Sequence, residues 1–529
     1  MPRFKMHKIL YMLSKATLLL LGLLSVVSCG NGSQNGAALT DSIADTSVVV
    51  EEVNMKMLPD TVFPSASKVK YDIQIPDTAA DGTLESIEDL YASAPGFFTF
   101  RGGSRRDAAF GAVLDSVPSK INVDWHFITD EDYAPTKYGS WGGGTGWTGQ
   151  PIYVEWPDSI RAGFSQSAKK EIMVGSLSGR VYFIDYETGK SSRKAINTEN
   201  PIKGTISLDP TLNGNLYVGQ GLSAHKTVGA LVIDLHKHQI SHNFGPDPKA
   251  RRRWEAYDSS PVRVGQFLFR PAENGTLYKF YIQPGSLKLH SALRYTVGGS
   301  APGMEASMAV YRNYGFTADN HGNIVCVNLN TLRPVWHYKL PDDIDATPVV
   351  VEEPDGGVYL YAGCEVEHAG VTNACFVKLD ALTGKEIWIN RTEAHRANVG
   401  SKHFDGGYYG SCLPGTGNCS HLIFANLVRN TKGQNGEFVA IDRKTGKTVY
   451  ATPLKYYAWS SPVGFSTEDG KQYVVTGDCA GRIYLINGAD GKIISTRTVG
   501  TNFESSPVVV GNSLVVGSRG NSIYKMSIQ

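Results

Sequence analysis

Asp380-Ala381-Leu382-Thr383-Gly384-Lys385-Glu386-Ile387-Trp388 decides the fold of this 529-residue chain, because its pattern returns at a regular interval. Asp185-Tyr186-Glu187-Thr188-Gly189 and Asp442-Arg443-Lys444-Thr445-Gly446 are further copies, and looser ones start at Asp234, Tyr281, Asn328 and Asn487. Successive copies lie 49, 47, 47, 52, 62 and 45 residues apart. A glycine often stands six residues upstream, as at Gly179, Gly322, Gly436 and Gly481, and the residues between read as a strand, for example Arg180-Val181-Tyr182-Phe183-Ile184.

Each unit has the same parts. A Ser-Pro or Thr-Pro step (Ser260-Pro261, Thr347-Pro348, Ser461-Pro462, Ser506-Pro507) opens an apolar strand. A second strand follows, then the Gly-led third, the Asp-x-x-Thr-Gly turn and a last strand carrying an aromatic. In such a turn Asp and Thr bond the backbone, Gly takes the left-handed conformation, and the aromatic packs against the next sheet. Four short antiparallel strands per ~48 residues describe a propeller blade.

The predicted fold is therefore all-β, an eight-bladed β-propeller. Last-strand positions are Trp125, Arg193, His242, Leu289, Trp336, Trp388, Tyr450 and Ser495. After Ser495 the chain makes three strands and stops at Gln529, so the fourth strand of that blade is expected from Ile121–Phe127, joining the two ends of the chain. Such a ring is one domain, although length alone suggests three or four.

Composition agrees with short strands and tight turns. There are 57 Gly, 26 Tyr and 20 Phe, while charged residues make up only 19%. A net charge of +1 gives no reason to expect nucleic-acid binding. Residues 1–28 read as a lipoprotein signal peptide: Arg3, Lys5, Lys8 and Lys15, a short apolar run from Leu18 to Val27, then Val26-Val27-Ser28-Cys29. Cys29 is the expected lipidation site, which anchors the protein to the membrane without spanning it. Residues 29–95, rich in acids, are expected to be a flexible tether, and 96–529 the ring. The expected address is the bacterial cell envelope, on the outer membrane facing the periplasm.

The motif Ala-x-Asp-x-x-Thr-Gly-x-x-x-Trp resembles that of the quinoprotein-type (PQQ-like) β-propellers, over roughly residues 97–529. The Phe100-Arg101-Gly102-Gly103 opening is similar to the start of many such rings. Trp147-Thr148-Gly149-Gln150-Pro151, Pro201-Ile202-Lys203-Gly204-Thr205, Asp258-Ser259-Ser260-Pro261 and Gly303-Met304-Glu305 resemble secreted bacterial PQQ-like repeat proteins. Such rings serve enzymes and scaffolds alike. A quinoprotein dehydrogenase would hold PQQ beside Ca²⁺ on the axis, against a pair of adjacent cysteines. This sequence has neither that pair nor a Cys-x-x-Cys-His haem motif. The expected function is therefore a non-catalytic binding or scaffold module with a protein or peptide partner, similar to the propeller lipoprotein of the outer-membrane barrel-assembly machinery. PQQ and Ca²⁺ are not expected, and the ring is expected to be monomeric.

The first strand of a blade lies nearest the axis, so residues just before it surround the channel mouth. Three residues before the Pro, or equivalent, stand Asp258, Glu305, Asp345, Trp459 and Glu504, with Trp147 and Lys203 in two other units and Tyr408 and Tyr409 in the last. The acids would either cap their own strands or jointly bind a cation or a basic peptide, with Trp147 and Trp459 as flat walls. Cys364 with Cys375, and Cys412 with Cys419, are the disulfide candidates in an oxidising compartment. His236, His238 and His242 lack metal-ligand spacing. Trp141-Gly142-Gly143-Gly144-Thr145-Gly146-Trp147 lacks the Lys-Ser/Thr of a phosphate loop and reads as a loop over one face.

Overall fold

A computed structural model describes residues 56–76, 82–146, 149–164, 168–368, 370–399, 402–429 and 435–529. Cys29 and Trp147 lie outside the described residues.

The repeat folds as its turn chemistry dictates. The Oδ1 of Asp380 accepts the backbone N–H groups of Leu382 (3.0 Å) and Thr383 (2.8 Å) and the Thr383 hydroxyl (2.9 Å). Asp442 repeats this with Lys444 and Thr445. The glycine has two roles in this turn. Gly384 and Gly446 have φ +72°, and each also lies under the last-strand aromatic of the preceding blade. A Cβ on Gly384 would stand 2.5 Å from the Trp336 ring, and one on Gly446 2.6 Å from that of Trp388. Those indoles donate to carbonyls of the next blade, Trp336 to Ala381 (3.0 Å) and Trp388 to Arg443 (2.8 Å). Tyr450 does the same to Gly488 through its hydroxyl (2.7 Å). The motif thus couples turn geometry to blade-on-blade packing.

Eight four-stranded antiparallel blades result. The first runs Ile152–Glu155, Lys170–Gly175, Arg180–Asp185 and Ile196–Asn197. The next six occupy 207–244, 262–297, 309–339, 349–393, 413–453 and 463–498. The eighth takes Val508–Val510, Ser513–Ser518 and Ser522–Ile528 from the C-terminal end, and Ile121–Ile128 closes it antiparallel, Ile121 opposite Ile528. This is the predicted closure. The middle strands are buried along nearly their whole length, because each sheet is covered by a neighbour on both faces, and the core lies between adjacent sheets.

The tether expected over 29–95 is shorter where it can be described. Val69–Gln74 adds a fifth strand to the third blade, Val69 opposite Val297. Val69, Leu84, Ile87 and Tyr91 are buried in the main core cluster, and Leu58 and Phe63 pack on another. Each such burial stabilises by ~1.5–3 kcal/mol. The acidic average of the segment conceals these spaced apolar residues.

Residues 97–106 fill one end of the central channel. Arg101 donates to the carbonyls of Pro462 (3.0 Å), Cys412 (2.8 Å) and Arg106 (3.2 Å). Arg106 donates to those of Met308 (2.9 Å), Phe100 (3.0 Å) and Ser260 (3.3 Å). Two buried guanidiniums therefore staple the inner edges of four blades, each satisfying carbonyls that the ring leaves unpaired. Burial brings both arginines down to about 10.

The six described cysteines are free thiols in this structure. Cys364 and Cys375 lie side by side, the Cys375 N–H donating to Cys364 Sγ at 3.4 Å. Cys412 and Cys419 are in separate core clusters, because the loop between them crosses from one blade interface to the next.

Candidate functional site

The innermost strands deliver their preceding residues to one cavity over the plug. Phe100 joins its lining with Gly149, Gly204, Thr205, Asp258, Glu305, Ser307, Asp345, Thr347, Tyr409 and Trp459 around a narrow cavity of ≈30 Å³ that opens to solvent. Of the sequence-predicted residues, Asp258, Glu305, Asp345 and Trp459 meet here. Tyr409 and Trp459 stack at 4.9 Å between ring centres, 12° from parallel, and form one flat wall.

Lys203 lies behind this lining, 4% exposed. Its ammonium sits 2.5 Å from Asp258 Oδ2, 3.5 Å from Glu305 Oε1 and 3.8 Å from Glu273 Oε1. Burial alone would lower Lys203, but Asp258, Glu305 and Glu273 outweigh it and hold the lysine above its ordinary value. The carboxylates bear the opposite strain. Burial, opposed in part by Lys203, pushes Glu305 up to about 7. Glu273 is raised well above its usual range by burial and then by Glu305. Asp345 is raised by burial and by Glu305 and Asp343, and Glu365 by burial and by Asp345 and Asp343. One ammonium therefore serves a larger set of acids, and burial and mutual repulsion raise the proton affinity of the rest.

Asp258 and Glu305 accept Lys203 instead of a backbone N–H of their own strands, so strand capping is not their role. Glu504 is not part of this lining. It pairs with Arg519 at 3.3 Å and lines a neighbouring cleft, because the missing Cβ of Gly146 leaves room for its carboxylate to turn towards Arg519. Sequence reading missed Phe100, Glu273, Asp343 and Glu365. Asp343 stood two residues before Asp345 and could have been found. Glu273 and Glu365 come from second-strand ends, which no first-strand rule reaches. The histidine group is structural: His236 packs on Phe164, and His238 bonds the Lys194 carbonyl (2.7 Å).

The fit of PQQ and Ca²⁺ can be tested on these donors. Oxygens of Asp258, Glu273 and Glu305 lie within 4.8 Å of one another, the spacing of a cation site. The Lys203 ammonium stands at that position, so Ca²⁺ would have to displace it. A quinone bearing several carboxylates would meet a wall of Asp258, Glu305 and Asp345 with no cation among the lining residues. The residues present do not fit the pair.

Comparison with known proteins agrees with the fold. Residues 434–529 match the family model described as outer membrane protein assembly factor BamB. Over 282 residues the chain is 22% identical to outer membrane protein assembly factor BamB of Moranella endobia (strain PCIT), covering 50% of this chain and 61% of that protein. It is 22% identical over 294 residues to BamB of Yersinia pestis, covering 51% and 64%. The chain thus spans less than two thirds of the length of these curated relatives. Among solved structures, quinohemoprotein alcohol dehydrogenase from Comamonas testosteroni aligns at TM-score 0.59 and 13% identity, covering 83% of this chain and 82% of that one. A europium-containing methanol dehydrogenase aligns at 0.57 and 12%, covering 83% and 99%. These two share the ring architecture.

Proposed function

We propose that this protein is a non-catalytic scaffold of the bacterial cell envelope, lipid-anchored through Cys29 at the outer membrane, whose ring receives a basic segment of a protein partner at the axial cavity. The observation that carries the reading is the charge imbalance at the axis. Asp345 lines the cavity beside the Tyr409–Trp459 wall and has no ion-pair partner within 4 Å among the described residues. A lysine or arginine head group at the mouth of this cavity would relieve the repulsion between Asp345, Glu305 and Asp343 and would lie against the aromatic wall. Similarity to BamB sequences supports a role in outer-membrane protein assembly. The reading requires no redox cofactor.

Titration calorimetry with a tri-lysine peptide tests it. Binding should release protons, because the raised carboxyls ionise as the cation arrives, and the measured heat should change with the buffer. Asp345→Asn should weaken binding by about tenfold. Absence of binding, or binding unaffected by Asp345→Asn, would refute the axial site. Failure to recover outer-membrane assembly proteins from cross-linked envelopes would refute the assembly role separately.

A further inference from the structure

The glycine-rich run after Trp141 has no part in the axial cavity, yet its geometry is built. Glu131–Thr136 and Gly139–Gly143 form a hairpin, Glu131 opposite Gly143 and Thr136 opposite Gly139. The hairpin is braced on the second blade and on the connection from it to the third. Tyr138 packs on Trp254 at 4.6 Å between ring centres, and Asp132 Oδ2 meets His225 Nε2 at 2.8 Å. Between hairpin and eighth blade lies an open cleft of ≈400 Å³, lined by Tyr133, Ser140, Trp141, Gly142, Gly143, Asn502, Glu504, Arg519 and Asn521. That size falls within the ~300–1,000 Å³ usual for ligand sites.

The missing side chains shape this cleft. A Cβ on Gly143 would stand 2.5 Å from Asn521 Oδ1, and one on Gly146 2.6 Å from Glu504 Oε2 and 2.8 Å from Arg519 Cδ. Gly142, at φ +72°, lies 3.2 Å under the Tyr133 ring by the same measure. Tyr133 is therefore seated on bare backbone, while its residue remains 65% exposed. Glu131, on the same strand, accepts from Asn521 Nδ2 and ties this strand to the eighth blade. An exposed aromatic held this firmly loses little freedom when something stacks on it.

We infer that this cleft binds a neutral oligosaccharide, with Tyr133 as the stacking platform. The geometry joins a fixed, exposed ring to a polar floor whose charges cancel. Glu504 and Arg519 pair at 3.3 Å, and Asn502 Nδ2 donates to Glu504 Oε1 at 2.8 Å. Among the described lining residues, an anionic ligand finds no cation beyond Arg519, which Glu504 holds, and a cationic one no carboxylate beyond Glu504, which Arg519 holds. An apolar ligand would leave the amide, carboxylate and guanidinium groups desolvated. A sugar answers both surfaces. Its C–H face covers an aromatic ring, and its neighbouring hydroxyls pair with planar amide, carboxylate and guanidinium groups, which donate and accept side by side. The hairpin and blade hold these groups before a ligand arrives.

Calorimetry and intrinsic fluorescence with maltotetraose, cellotetraose and chitotetraose test the inference on the full chain. At least one should bind in the millimolar range or tighter and shift the aromatic emission. Tyr133→Phe should retain this affinity, Tyr133→Ala should lower it by about tenfold or more, and Glu504→Gln should lower it too. Because Tyr133 is exposed, the alanine variant should melt as the wild type does and still bind the tri-lysine peptide. Loss of saccharide binding is thus distinguishable from failure of the axial site. No binding of any of the three sugars, or binding indifferent to Tyr133→Ala, would overturn the inference. So would Tyr133-dependent binding confined to peptides.

Discussion

Replacing Glu305 by Gln should make the protein more stable at mildly alkaline pH and leave it nearly unchanged in mild acid. Glu305 is raised from 4.5 to about 7 in the folded ring, chiefly by burial, and its side chain is 16% exposed. Below about 4.5 both folded and unfolded chains carry this proton. Between 4.5 and 7 the folded chain keeps a proton that the unfolded chain has lost, so stability falls as pH rises, and the penalty is complete above 7. At ~1.4 kcal/mol per unit this reaches about 3 kcal/mol. Gln removes the titration and spares Asp345 and Glu273 a charged neighbour. It gives up the 3.5 Å contact to Lys203, which keeps Asp258 at 2.5 Å. The net expectation is a gain of ~1–3 kcal/mol at about pH 8 and a difference near zero at about pH 5. Equilibrium urea unfolding followed by tryptophan fluorescence, at constant ionic strength across that range, measures both. A variant destabilised equally at both pH values would refute the reasoning. Glu305 would then serve only to hold Lys203, and no proton would be stored at the axis.

Three further outcomes are expected. Lys203→Met should destabilise by ~3–5 kcal/mol at neutral pH, since Asp258, Glu273 and Glu305 lose their shared ammonium, with partial recovery in Lys203→Met/Asp258→Asn; urea midpoints of the two variants decide it. Cys29→Ser should leave the membrane fraction and take up no labelled palmitate; continued labelling would exclude Cys29 as the anchor. Mild oxidation should join Cys364 to Cys375, because the Cys364 thiol donates to Cys375 and holds it below the ordinary thiol value, while Cys412 and Cys419 remain reduced. A non-reducing peptide map reads this, and free Cys364 and Cys375 after oxidation would refute it.

The ring, its eight blades and its closure were legible in the sequence because each depends on contacts within one repeat or between adjacent repeats. Asp380, Thr383 and Gly384 make a turn by themselves, and Trp336 needs only the next turn to dock on. A period of this kind survives drift in any single copy. Four of the seven predicted axial residues, Asp258, Glu305, Asp345 and Trp459, followed from the same logic, since position within a blade sets distance from the axis.

Only the tertiary structure decided the rest. Lys203 is placed near the axis by its position before a strand start, but only ring closure sets it among Asp258, Glu273 and Glu305, up to 102 residues away along the chain. Phe100, Arg101 and Arg106 become a channel plug because the inner edges of the blades leave carbonyls facing the axis. Glu504 obeys the same positional rule as Glu305 yet turns to Arg519. Local turn chemistry repeats and can be read residue by residue. A charge is assigned its partner only when blades distant in sequence are brought to a common axis, and that convergence leaves no periodic mark on the chain.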